Sequence, residues 1–234
     1  MFFLCAVALC WCEMNMKIAV SSCLLGQKVR YDGEHQSDAY INEVLATKYT
    51  LLPFCPEMAI GLGVPRLPIH LVEHDDGIHC VRVDDDQFDV TEPLRQLIDS
   101  ASWLNDVCGF ILKSKSPSCG LSKVKLLKPE GVFREGQGIW AKALLDHYPY
   151  LPVIDEVALS DTKMRSVFLR KVDILATWFS LQQANEDYLA FDRYIGVLYK
   201  DDNDFLRALN ELRQEKGKSM QWDLNYLADV MHLI

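Results

Sequence analysis

No Cys-x-x-Cys pair occurs anywhere in these 234 residues, although the chain carries eight cysteines. That absence removes the redox dithiol motif, and no close-spaced pair typical of structural zinc occurs among Cys23, Cys55 and Cys119. No histidine stands beside Cys23, Cys55 or Cys119, which argues against catalytic zinc there. No apolar run approaches the ~20 residues of a membrane-spanning helix. There is no internal repeat and no low-complexity tract. Positive charge is scarce: 24 lysines and arginines stand against 33 acidic residues, for a net charge of −9. Such a chain is a poor general nucleic-acid binder. A disulfide framework belongs to small, loop-rich secreted domains, and this chain is neither small nor loop-rich. The cysteines read as reduced thiols of a cytoplasmic protein.

What is present is one pattern used three times. Residues 18–22 form an apolar run that leads into Cys23, residues 51–54 a second that leads into Cys55, and residues 109–113 a third. The third is followed by Ser114-Lys115-Ser116-Pro117-Ser118-Cys119-Gly120. Short apolar runs bounded by turn residues read as buried strands. The carboxyl ends of strands in an open parallel sheet lie along one edge, where such folds bind ligands. Three cysteines far apart in sequence are therefore expected to converge. Lysines and free backbone N–H groups before Cys119 are expected to lower its pKa and favour the thiolate, the form that binds metal or attacks carbon. Cys80 and Cys108 fit the blander role of small buried apolar residues.

Along the chain, residues 1–15 form an apolar leader without a positive n-region or cleavage site, read as a mis-assigned start with Met14 or Met16 as the true one. Residues 38–48 have helical spacing. Residues 55–66 form a Gly/Pro-punctuated loop in which Glu57, two places after Cys55, is expected to be partly buried. Arg30 and Asp32 in the preceding loop could line a polar pocket. Residues 78–83 and 87–90 read as a hairpin, 93–104 as a helix, 123–127 as extended, 130–138 as a mobile glycine-rich loop, 139–147 as a helix and 150–154 as a last short strand. At Ser160, taken as an N-cap, the character changes: apolar residues follow at helical spacing from Met164 to Phe179, and further helices are expected over 187–199, 205–212 and 221–231. The fold class is α/β: a Rossmann-like three-layer sandwich with a mainly parallel sheet over residues 16–157, then a small helical C-terminal appendage over 158–234.

Three thiolates without an obvious fourth suit an iron–sulfur cluster with one open iron. Two readings stand beside it: a non-enzymatic metal-binding module with a helical partner-binding tail, and a cysteine-nucleophile enzyme without metal.

The motifs add a resemblance. Val20-Ser21-Ser22-Cys23-Leu24-Leu25-Gly26 with Val29-Arg30-Tyr31-Asp32-Gly33, then Cys55-Pro56-Glu57 with Pro65-Arg66, then Lys115-Ser116-Pro117-Ser118-Cys119-Gly120 resemble the thiouracil desulfidase family in order and spacing, over residues 16–157. The resemblance implies a 4Fe–4S cluster held by Cys23, Cys55 and Cys119 with one open iron. It implies catalytic roles for Glu57 and Ser116, and substrate contacts from Ser22, Arg30, Asp32 and Ser118. The implied reaction is non-redox: water oxygen replaces the sulfur of a thiolated pyrimidine, and sulfide is released. The stretch after residue 151 is similar to the junction in longer relatives whose substrate is thiouridine in transfer RNA. Where those carry Phe-His and His-Lys motifs, this chain reads Leu189-Ala190-Phe191-Asp192-Arg193. A small thiolated base or nucleoside is therefore favoured over transfer RNA, with no membrane partner.

Overall fold

The structure, a computed structural model, describes residues 16–184, 188–216 and 223–234. The leader lies outside the described residues. Strands β1 (Lys17–Ser21), β2 (Thr50–Phe54), β6 (Val107–Leu112) and β9 (Val153–Asp155) form a parallel sheet in the order β2-β1-β6-β9. β1 sits in the middle beside β2 and β6, in register Ile18 to Leu51 and Val20 to Ile111. Every residue of β6 is buried, as expected for a strand covered on both faces. A register shift skips Cys108, so that Val107 joins Phe110 and Leu112 in the core on one face and Cys108 joins Ile111 on the other.

A second sheet holds β3 (Ile69–His74), β4 (Gly77–Arg82), β5 (Asp85–Asp89), β7 (Val124–Lys128) and β8 (Gly131–Gly136) in the order β5-β4-β3-β7-β8. All its contacts are antiparallel except β3 with β7. This corrects the sequence reading in two places. β3 was not expected, and residues 130–138, expected as a mobile loop, instead supply β8. Residues 132–135 are all exposed, so β8 lacks the alternation that marks a half-buried strand.

Helices cover both faces of the parallel sheet. Those described are α1 (Pro56–Ala59), α2 (Thr91–Gln96), α3 (Ile139–His147), α4 (Glu156–Ser160), α5 (Thr162–Gln183), α6 (Tyr188–Leu198), α7 (Asn203–Lys216) and α8 (Leu224–Leu233). Trp140, Ala141 and Leu144 of α3 pack with Ala19, Phe110 and Leu112. On the other face, Phe168 and Val172 of α5 pack with Ile18, Val20 and Ile111. The approach is close: a Cβ on Gly109 would lie 2.7 Å from Val172 Cγ2 and 3.1 Å from Phe168 Cζ. Ile174, Leu175 and Trp178, farther along α5, share a core with Phe191, Leu209 and Tyr226 of the later helices. The N-cap of α5 is Asp161, which accepts from Lys163 N and Met164 N at 2.8 and 2.9 Å, and not Ser160. The expected helix at 38–48 is present as two irregular turns, Tyr40–Val44 and Leu45–Thr47, and that at 93–104 as α2 followed by 3-10 turns.

Candidate active site

Each strand-end cysteine is set by a different local device. Cys23 sits in the turn Ser22–Leu25 after β1, closed by Gly26 at φ +84°. Cys55 follows β2 and accepts from Ala59 N at 3.0 Å, which starts α1 and places Glu57 in its first turn. Cys119 sits in a loop knotted by Ser116: Ser116 Oγ accepts from Ser118 N at 3.2 Å and Cys119 N at 3.1 Å, and Ser116 O accepts from Gly120 N at 2.8 Å. Lys115 takes φ +60° there, a conformation costing about 1–3 kcal/mol that persists only where its surroundings hold it. The start of α3 rests on the same loop, through Ile139 N to Pro117 O and Ala141 N to Ser118 O, both at 3.0 Å. Gly138 packs so tightly that a Cβ would meet Ser118 O at 2.5 Å.

The three cysteines converge. All line one cavity of about 670 Å³ at the carboxyl edge of the parallel sheet, as do Ser22, Arg30, Glu57 and Ser116. Cys80 and Cys108 are not among its lining residues. Nor are Asp32 and Ser118. Asp32 braces Arg30, with contacts of 3.3 and 3.1 Å to its guanidinium. Ser118 is fully buried and donates to Glu57 Oε1 at 2.6 Å. Because its proton is committed there, the 3.1 Å contact between the two serine oxygens has Ser116 donating to Ser118.

Glu57 is clamped on its other oxygen, where Oε2 accepts from Arg66 Nη2 at 2.6 Å and Nε at 3.0 Å. Arg66 also donates to Val29 O and Gly63 O, so one guanidinium ties two loops to the carboxylate. Removing one partner of so buried a pair costs about 3–5 kcal/mol. Arg66 stood in the sequence motifs without a role. Sequence reasoning also missed a second pair on the cavity wall, Lys113 with Glu156, and the serine beside Cys23's turn, Ser21. The only signal for Lys113 and Glu156 was that each immediately follows or closes a strand.

The thiols do not behave as the sequence suggested. Burial pushes Cys23 up to about 11, with nearby Cys55 adding to it and Lys113 and Arg30 opposing it. Burial likewise raises Cys55 and Cys119, and Cys119 is raised further by Cys55, Glu57 and Cys23. The lysines and backbone groups near Cys119 do not outweigh desolvation. Burial disfavours the charged form of each thiol, and a cation bound among them would offset the charge of the thiolates. Among the described residues no three His, Cys, Asp or Glu side chains close on a single metal ion. A cubane makes a different demand, because each thiolate holds a different iron and the sulfurs stand farther apart. Two buried sulfurs and one half-buried sulfur lining one cavity, with no imidazole among them, match the soft donor set of such a cluster.

The comparisons with known proteins point the same way. The 2-thiouracil desulfurase family matches residues 18–156. YbbK, an uncharacterized protein of Bacillus subtilis (strain 168), is 31% identical over 151 residues, which are 62% of this chain and 98% of that protein. Among solved structures, the 4Fe–4S-dependent thiouracil desulfidase TudS is similar, with 32% identity and a TM-score of 0.51 over 64% of this chain and 97% of its own.

Proposed function

This chain belongs to the 2-thiouracil desulfurase family, and from that premise we propose that it removes sulfur from a small thiolated pyrimidine with the help of a 4Fe–4S cluster held by Cys23, Cys55 and Cys119. The observation that carries the reading is the convergence of three cysteines, from three separate strand ends, on one cavity that also contains Glu57. Bound there, a cluster with an open iron supplies a Lewis acid soft enough to engage a thiocarbonyl sulfur.

The chain's own residues supply the rest. The net change is C=S plus water to C=O plus hydrogen sulfide, so a proton must leave the attacking water and protons must reach the departing sulfur. Glu57 is the general base. Arg66 occupies Oε2, which leaves Oε1 as the working oxygen. The hydroxyl chain from Ser116 through Ser118 ends on Oε1 and connects the carboxylate to the cavity wall. Ser22 and Arg30 line the space the heterocycle would enter, with Asp32 fixing the Arg30 guanidinium and Ser118 acting from behind the wall. The parallel sheet with helices on both faces is Rossmann-like in plan, and its carboxyl edge is where such folds place ligands. Residues 16–157 form the catalytic unit and residues 158–234 the helical region joined to it. The cysteines among the described residues are all free, which suits a cytoplasmic enzyme. No helix among the described residues is long and apolar enough to cross a membrane.

The test is anaerobic purification with assays of iron, acid-labile sulfide and sulfide release from 2-thiouracil. Brown protein with turnover is expected, and Glu57→Gln should keep its iron while turnover falls about 10²–10⁴-fold. Iron-free protein that still turns over would favour a cysteine nucleophile. Iron-loaded protein inert toward thiolated pyrimidines would favour a non-enzymatic metal module.

A further inference from the structure

Lys113 and Glu156 form a second charged pair on the cavity wall, and the chemistry above uses neither. They meet because β6 and β9 are parallel neighbours that bring Leu112 beside Asp155, so the next residue of each strand emerges at the same edge. Both side chains are largely buried, at 15% exposure each. The Lys113 ammonium bonds Glu156 Oε1, Ser114 Oγ at 3.1 Å and Ser114 O at 3.3 Å. Ser114 returns the contact, donating to Glu156 from its backbone N–H at 2.7 Å and its hydroxyl at 2.6 Å. All three ammonium protons are therefore engaged, and none is left for a ligand. A direct donor role is excluded, and what the group offers the cavity is a fixed charge.

That charge borders the space the cluster would fill: Lys113 and Glu156 line the same cavity as Cys23, Cys55 and Cys119. The Lys113 backbone N–H also donates to Ser21 Oγ at 2.9 Å, and Ser21 is in turn a hydrogen-bond partner of Cys119. Resting on the cluster reading above, we propose that Lys113, oriented by Glu156 and Ser114, is a positioning residue whose charge sets the reduction potential of the bound cluster and its retention by the thiolates. Reduction adds negative charge, which a nearby cation favours and a nearby anion opposes.

This makes a signed prediction. Lys113→Met removes a positive charge and should move the potential in the negative direction; Glu156→Gln removes a negative charge and should move it in the positive direction. Both substitutions break the same ion pair, so a merely structural knot would shift the two the same way. Lys113→Arg keeps the charge and should restore the wild-type value. The measurement is a redox titration of the anaerobic proteins followed by EPR, with the rate of iron release to a chelator as a second readout, faster for Lys113→Met. Shifts of the same sign, or no shift in iron-replete protein, overturn the proposal. If Lys113→Met purifies without iron, the sign for Glu156→Gln decides it: a positive shift supports the proposal, and a negative or absent one ends it. Wild-type protein that never holds iron fails at the underlying reading, an outcome recognisable before any variant is made.

Discussion

The parallel sheet and the mixed sheet each bury a cysteine completely or nearly so, with different consequences. Cys119 follows the parallel sheet and faces Cys55, Cys23 and Ser21. Cys80, on β4 of the mixed sheet, is enclosed by Leu71, Leu94 and Val124 and has its backbone N–H on Thr91 Oγ1 at 2.7 Å. Burial raises both thiols. What separates them is topology. Parallel strands all end at one edge, so the residues after them gather, whereas antiparallel strands send successive ends to opposite sides. The mixed sheet contributes wall and stability, through Pro68 and Ile69 at the cavity, and no sulfur.

The largest effect should come from the parallel side. Cys119→Ala is expected to purify pale and inactive, while Cys80→Ala keeps iron and turnover; equal iron loss from both would erase the distinction between the sheets. Next, Leu71→Ala in the mixed-sheet core should cost about 2–5 kcal/mol in denaturant unfolding, with iron per folded molecule unchanged. A smaller loss, about 1–3 kcal/mol, is expected from Gly138→Ala, because its Cβ collides with a backbone carbonyl that cannot rotate away. Unlike Leu71→Ala, this variant should also lose iron, since Ser118 and Cys119 move together.

The smallest effect concerns the β4–β5 hairpin. His79 Nδ1 lies 2.6 Å from Asp89 and Nε2 lies 3.0 Å from Asp76, and these carboxylates, Asp89 first, raise its pKa. A raised folded value means that the contribution is complete below the unfolded value of about 6.5 and is lost as pH rises through the folded one. His79→Gln should melt slightly earlier than wild type at pH 6 and together with it at pH 9. A constant difference across that range would show that the hairpin depends on shape and not on charge.

Legibility followed burial. The inner strands β1 and β6 stood out because a strand enclosed on both faces is apolar without interruption, as in Phe110-Ile111-Leu112, whereas the edge strand β2, with no buried residue, was legible only from its short apolar run before Cys55. α3 was readable to the residue, since Ile139, Trp140 and Leu144 keep helical spacing on one face. β3 was missed because His70, Glu73 and His74 interrupt its pattern, and it is recruited by pairing with β4 and β7. Glu57 could be picked out from its place after Cys55, but Ser118 could not be told from a cavity residue, because it stands directly between two lining residues, Pro117 and Cys119.

The sequence by itself determined where sulfur and carboxylate stand along the chain: cysteines after three apolar strands, Glu57 in the turn after the second, and a net acidity that disfavours a polyanionic partner. Those features are local, set by hydrophobic runs and turn residues. Only the tertiary structure decided which polar and charged groups pair. Ser118 reaches Glu57 across 61 positions and Lys113 reaches Glu156 across 43, distances over which propensity carries no information. A buried carboxylate takes whatever donors the closed fold brings to it, because leaving it unpaired costs more than any local preference can offset.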